Sequence, residues 1–88
     1  MNKNRRNELM GWVRKAEEWA AHGEELKDEL ENICSEEEDY FANMPENLQG
    51  SMRGMDSEEA IDKMNEAIES MSNAIDAAEE AASCVDEI

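Results

Sequence analysis

From Asp56 to Ile88 the apolar residues fall at Ile61, Met64, Ile68, Met71, Ile75, Ala78, Ala82 and Val85. The intervals alternate three and four, which is a heptad seam and predicts one long helix. A second row, Ala60, Ala67, Ala74 and Ala81, lies one residue before each first seam position. Two adjacent stripes of this helix are therefore apolar, while Asp62, Glu66, Glu69, Asp76 and Glu80 occupy the opposite side.

The N-terminal half repeats the pattern. Leu9, Trp12, Ala16, Trp19, Gly23, Leu26, Leu30 and Ile33 form a seam that continues through Glu37 to Tyr40. Val13, Ala20, Lys27, Cys34 and Phe41 flank it as a second, mostly apolar row. The spacing predicts a helix over residues 5–39 and a second over 57–87, joined by a connection over 40–55. Gly11 and Gly23 each disfavour the helix interior by about 1 kcal/mol relative to alanine. Gly23 lies on the seam, where a partner helix can approach closely; Gly11 has no such reason.

Within the connection, Asn43 reads as a cap and Pro45 as a first-turn residue of a short helical turn. Gly50 and Gly54 read as stops. Asp56 with Glu59 resembles a capping box for the second helix. Arg53 is expected to tie the connection to Asp56 or Glu58. Two long helices joined in this way fold back antiparallel, giving an all-α, coiled-coil-like hairpin as a single domain over 1–88. Aligning the seams about the connection pairs Ile33 with Ile61, Leu30 with Met64, Leu26 with Ile68, Gly23 with Met71 and Trp19 with Ile75. The same register sets Cys34 beside the connection and Cys84 beside the termini, about 36 Å apart by helical rise, too far for an intrachain disulfide. Two reduced thiols fit a cytoplasmic protein. A lone hairpin leaves the second apolar row of each helix in water. The predicted remedy is a homodimer forming a four-helix bundle, with Trp12, Trp19, Leu26, Leu30, Ile33, Ile61, Ile68 and Ile75 as core and dimer residues.

Charge changes this picture from a scaffold into a surface. Of the 88 residues 36% are charged, with a net charge of -16. Residues 1–15 carry +4, from Lys3, Arg5, Arg6, Arg14 and Lys15 against Glu8. The remaining residues carry -20, with only Lys27, Arg53 and Lys63 as cations. A polyanion with a basic foot repels nucleic acid along most of its length and suits surfaces built to bind nucleic acid. No apolar run is long enough for a membrane span, and no signal-peptide core follows the basic start.

Glu17, Glu24, Glu31 and Glu38 recur every seven residues along one line, with Glu18, Glu25 and Asp28 between them. Together with Asp62, Glu66, Glu69, Asp76 and Glu80 they predict two acidic ridges. An ordinary solvated exterior would mix signs and supply Glu–Lys pairs four apart, and these helices hold few lysines. Imitation of a phosphate array is the sharper expectation. The run Glu36–Asp39 lacks the glycine and alternating ligands of a calcium loop, and His22 lacks a Glu-x-x-His arrangement, so neither a metal nor another cofactor is expected. His22 reads as a surface or dimer-edge residue. No carboxylate pair is marked as convergent, and Cys34 reads as a packing residue, so no catalytic residue is assigned and an enzyme is not expected. A small-ligand or nucleotide binder is disfavoured because nothing arginine-rich faces a pocket. In the connection, Tyr40, Phe41, Met44, Leu48 and Met52 cluster aromatic and flexible apolar groups, either plugging the end of the bundle or contacting a partner.

The stretch Glu37 to Ser51, containing Asn43-Met44-Pro45-Glu46-Asn47-Leu48, followed by Arg53-Gly54 and by Ser57-Glu58-Glu59-Ala60-Ile61, resembles small acidic two-helix proteins of bacteriophages and prophages of Gram-positive bacteria. The resemblance covers roughly residues 26–80 and carries no catalytic residue. It implies a phage setting, in which small acidic proteins block nucleic-acid-binding defence enzymes of the host.

These readings converge on an anti-CRISPR or anti-restriction type of inhibitor acting in the host cytoplasm. Its ridges (Glu17, Glu24, Glu25, Glu31, Asp62, Glu66, Glu69, Asp76) would compete for the basic channel of a CRISPR effector or restriction nuclease, and the connection would supply specificity. It would bind neither nucleic acid nor membrane directly. The alternative is a structural or adaptor coiled-coil protein of a phage assembly or replication complex, for which the connection and the apolar rows matter and the ridges do not.

Overall fold

The computed structural model describes all 88 residues. Helix α1 runs from Lys3 to Ala42, α2 from Glu46 to Gln49, and α3 from Met52 to Asp86. α1 and α3 pack antiparallel into a rod measuring 69 × 14 × 14 Å. Its radius of gyration, 19.9 Å, far exceeds the roughly 12 Å of a globular chain of this length.

Both long helices begin at a side-chain cap. Asn2 Oδ1 accepts a hydrogen bond from the Arg5 amide at 2.7 Å, and Ser51 Oγ accepts one from the Gly54 amide at 3.4 Å. The first helix thus starts two residues before the predicted start and runs three past the predicted end. The second starts near Ser51 rather than Asp56, so Gly54 lies inside the first turn of α3 instead of stopping a helix. Asn43 ends α1, and Pro45, with no side-chain cap bond, precedes α2. Arg53 forms no ion pair with Asp56 or Glu58; it borders a shallow depression with Tyr40, Met44 and Leu48.

The α3 seam faces α1 as its spacing predicts. Ile75 is 1% exposed and Ala82 3%, with Ile61, Met64, Ile68, Met71, Ala78 and Val85 half-buried. The α1 seam is rotated from the predicted one. Leu9, Ala16, Gly23 and Leu30 do turn inward, but their companions are Val13, Ala20, Lys27, Cys34 and Phe41, the row expected on the flank. Trp12, Trp19, Leu26, Ile33 and Tyr40, expected on the seam, are 44–53% exposed. The physical reason is close approach. A Cβ placed on Gly23 would stand 3.0 Å from Ile75 Cγ1 and 3.9 Å from Met71 Cε. Small side chains at Ala16, Ala20 and Gly23 let the helices meet along a row that tryptophan could not share. Gly23 thus meets Met71 as the register predicted, whereas the predicted Trp19–Ile75 layer is replaced by Gly23 against Ile75.

Two α1 residues, Glu37 and Cys34, make polar contacts at the same interface. Ser57 Oγ donates to Glu37 Oε2 at 2.7 Å, and the Cys34 thiol approaches Glu38 Oε1 at 3.4 Å and Asn65 Oδ1 at 3.7 Å. At the connection, the Gln49 amide donates to the Phe41 and Met44 carbonyls at 3.3 and 3.2 Å, lashing α2 to the end of α1.

Gly11 has nothing within 4 Å of an added Cβ. Gly11→Ala therefore removes backbone entropy from the unfolded chain at no steric cost and should stabilise the protein by about 1 kcal/mol in denaturant titrations.

Candidate functional site

The rotation of α1 gives the hairpin two unlike faces. Residues three or four apart on a helix share an edge, so the Cys34–Glu38 and Cys34–Asn65 contacts place the Glu38 row of α1 and the Asn65 row of α3 on one face. Along α1 that row, which borders the face, is Glu17, Glu24, Glu31 and Glu38, all exposed and about 10.5 Å apart by helical rise. Along α3 the border residues Asn65 and Ser72 are followed outward by Asp62, Glu69 and Asp76, also exposed. The two predicted ridges thus flank one face. Glu25 and Glu66 stand further round, on the outer surface of their helices.

Few of these carboxylates are neutralised. Lys27 Nζ lies 3.7 Å from Glu24, Lys63 Nζ 3.5 Å from Glu66, and His22 Nδ1 3.6 Å from Glu25. All three are contacts three residues apart within one helix, and none crosses between α1 and α3. With 24 acidic residues in the chain, the face is held together against its own repulsion by the seam beneath it. The charges near the ends of α1 also oppose the helix dipole: Lys3, Arg5 and Arg6 stand in its first turn and Asp39 in its last.

The run Glu36–Asp39 does not converge. Four successive helical residues point in four directions, Glu37 accepts from Ser57, and Glu38 faces Cys34. No three His, Cys, Asp or Glu side chains approach one another closely enough to hold a metal ion. Cys34 is 2% exposed. Burial first, then the Glu38 carboxylate beside it, pushes its thiol above the ordinary value, which suits a packing residue and not a nucleophile. Cys84 is exposed, and both thiols are free.

The opposite face is apolar. Trp12, Trp19 and Lys15 from α1 line one shallow groove with Ala78 and Ala81 from α3. The exposed row of α1 and the alanine row of α3 therefore lie side by side.

At the closed end, the connection residues separate by role. Met44 is buried and Phe41 half-buried, plugging the end of the hairpin, while Tyr40, Leu48 and Met52 are 49%, 42% and 79% exposed. Gln49, Ser57 and Asn65 were not anticipated as packing residues. A signal existed for Ser57, because it falls on the α3 seam one turn before Ile61, opposite Glu37. Two polar residues in one seam layer need each other.

No helix is long and apolar enough to cross a membrane. Comparison with protein-family models, curated proteins and solved structures returned no match.

Proposed function

We propose that this protein is a non-enzymatic polyanion mimic that occupies the basic groove of a nucleic-acid-binding protein. One observation carries the reading. The chain holds a net charge of -16 on a rod 69 Å long, about one per 4.3 Å, of the same order as the 3.4 Å per phosphate along one DNA strand. The borders of the acidic face, of which only Glu24 has a lysine beside it, would meet lysines and arginines placed to receive phosphates. The resemblance to small phage proteins makes a host defence nuclease, such as a CRISPR effector or restriction enzyme, the target class. We also propose that a second copy covers the apolar face to give a four-helix bundle, since only nine of 88 residues are buried in one hairpin and cores this small are marginal.

Displacement of labelled duplex DNA from such nucleases tests the mimic. Reversing Glu24, Glu31 and Glu69 to lysine should weaken displacement on the order of a hundredfold and flatten its salt dependence. The exposure of Tyr40, Leu48 and Met52 supports the adaptor reading as the second choice. If Leu48→Ser with Met52→Ser abolishes partner binding while the three reversals leave it intact, the adaptor reading stands and the mimic falls.

A further inference from the structure

The apolar face has an internal symmetry that bears on how two copies would meet. Trp12, Trp19, Leu26, Ile33 and Tyr40 recur every seven residues, so they form a straight ridge about 42 Å long with Leu26 at its centre. The alanine row of α3 has its own midpoint between Ala67 and Ala74. Gly23 packs against Ile75 and Met71, so Leu26, one turn further along α1, stands level with that midpoint. The two rows are therefore centred at the same height on the rod.

We infer that the partner of this face is a second copy of the chain, running antiparallel to the first about a two-fold axis through Leu26. The inference rests on the two-copy reading above and adds the axis. About that axis the ridge meets itself: Trp12 faces the partner's Tyr40, Trp19 faces the partner's Ile33, and Leu26 faces the partner's Leu26. The alanine rows of the two α3 helices meet further along the same axis, where small side chains permit close approach. A face 69 Å long and 14 Å wide can supply the roughly 800 Å² per partner of a standard interface.

Charge selects this direction. Three residues beyond Trp12, Trp19, Leu26 and Ile33 stand Lys15, His22, Glu29 and Glu36, which edge the ridge. The axis sets Lys15 against the partner's Glu36 and His22 against the partner's Glu29, each twice by symmetry. It also lays the basic foot of one α1, at the positive end of its dipole, beside the acidic run at the negative end of the other α1. The charges that oppose the dipole within one hairpin are thereby answered across the pair. Parallel rods would instead set the acidic closed end of one copy beside that of the other, and the two basic feet beside each other. Like charges so juxtaposed oppose association.

The test uses the full chain. Leu26→Cys in a Cys84→Ser background places two thiols at the axis within disulfide reach, so mild oxidation should link the dimer almost completely. In parallel rods α1 faces the partner's α3, and the two position-26 thiols lie diagonally across the bundle, beyond the roughly 7 Å Cα limit for a disulfide. In sedimentation, Lys15→Glu and Glu36→Lys should each raise the dimer Kd about tenfold, and the double variant should return it to within about threefold of the parent. A dimer that neither links at position 26 nor recovers in the double variant overturns the axis and leaves the two-copy reading standing. A monomer at high concentration overturns both.

Discussion

Gly54→Ala is expected to open the closed end of the hairpin. A Cβ at this position would stand 2.0 Å from the Gln49 carbonyl oxygen and 2.7 Å from that of Leu48. Both neighbours are backbone, so no rotamer change relieves the overlap. The turn between α2 and α3 has to move instead. It is held by Leu48 and Gln49 amides donating to the Pro45 carbonyl, by the Ser51 hydroxyl donating to Leu48, and by the Gln49 side chain on α1. Displacing all of these should lower stability by at least the roughly 3 kcal/mol at the upper end of overpacking effects, with helical content by circular dichroism nearly unchanged. Gly50→Ala is the control, because nothing lies within 4 Å of its added Cβ and its φ of -85° suits any residue. Equal melting temperatures for the two variants would sink this account of the turn.

Ile75→Ala should be comparably severe. Ile75 is the one large side chain that is fully buried, and it covers Gly23, which has no side chain to fill the space left behind. Truncating such a residue typically removes about 2–5 kcal/mol, which in a domain of this size lowers Tm by roughly 4–8 °C per kcal/mol. The pair also makes a signed prediction. Gly23→Ala alone should destabilise, since its Cβ would press on Ile75 Cγ1 at 3.0 Å and that side chain is enclosed. In the Ile75→Ala background the same change should stabilise, because the obstructing carbon is gone and the helix-propensity gain of about 1 kcal/mol remains. Additive effects in this double-mutant cycle would show that the two residues do not share a packing site.

The antiparallel helix pair was legible because heptad spacing constrains topology whichever row is chosen as the seam. The α3 seam could be read directly, since one side of it is bordered by alanines and the other by polar groups, leaving Ile61, Ile68 and Ile75 without competitors. α1 was ambiguous for a physical reason. It has two apolar rows either side of Leu9, Ala16, Gly23 and Leu30, and ranking by hydrophobicity selects the row with Trp12 and Trp19. The intramolecular contact selects by size, because Gly23 against Ile75 requires the helices to come close, and Val13, Ala20 and Cys34 fit there. Hydrophobic spacing ranks rows by apolarity and says nothing of how closely the facing helix must approach. Gly54 failed similarly: a glycine that ends a helix and one that lets a neighbouring turn pass look alike in sequence. The carboxylate lines along Glu17–Glu38 and Asp62–Asp76 were visible from spacing alone, but that they border a single face followed only from the rotation of α1.

The hairpin also sets the order in which its parts come together. Its long-range contacts are strung outward from one connection, and the Ser57–Glu37 bond beside that connection closes a span of only 20 residues. Ring closure is least unfavourable there, and each further turn of α1 against α3 then adds next to a pair already made. Loop-closure entropy thus favours formation from Met44 and Ser57 toward Leu9 and Val85, and amide hydrogen exchange is expected to show fraying in the opposite direction. Trp12 and the basic foot, at the end far from the connection, should then be the first groups released as the rod opens.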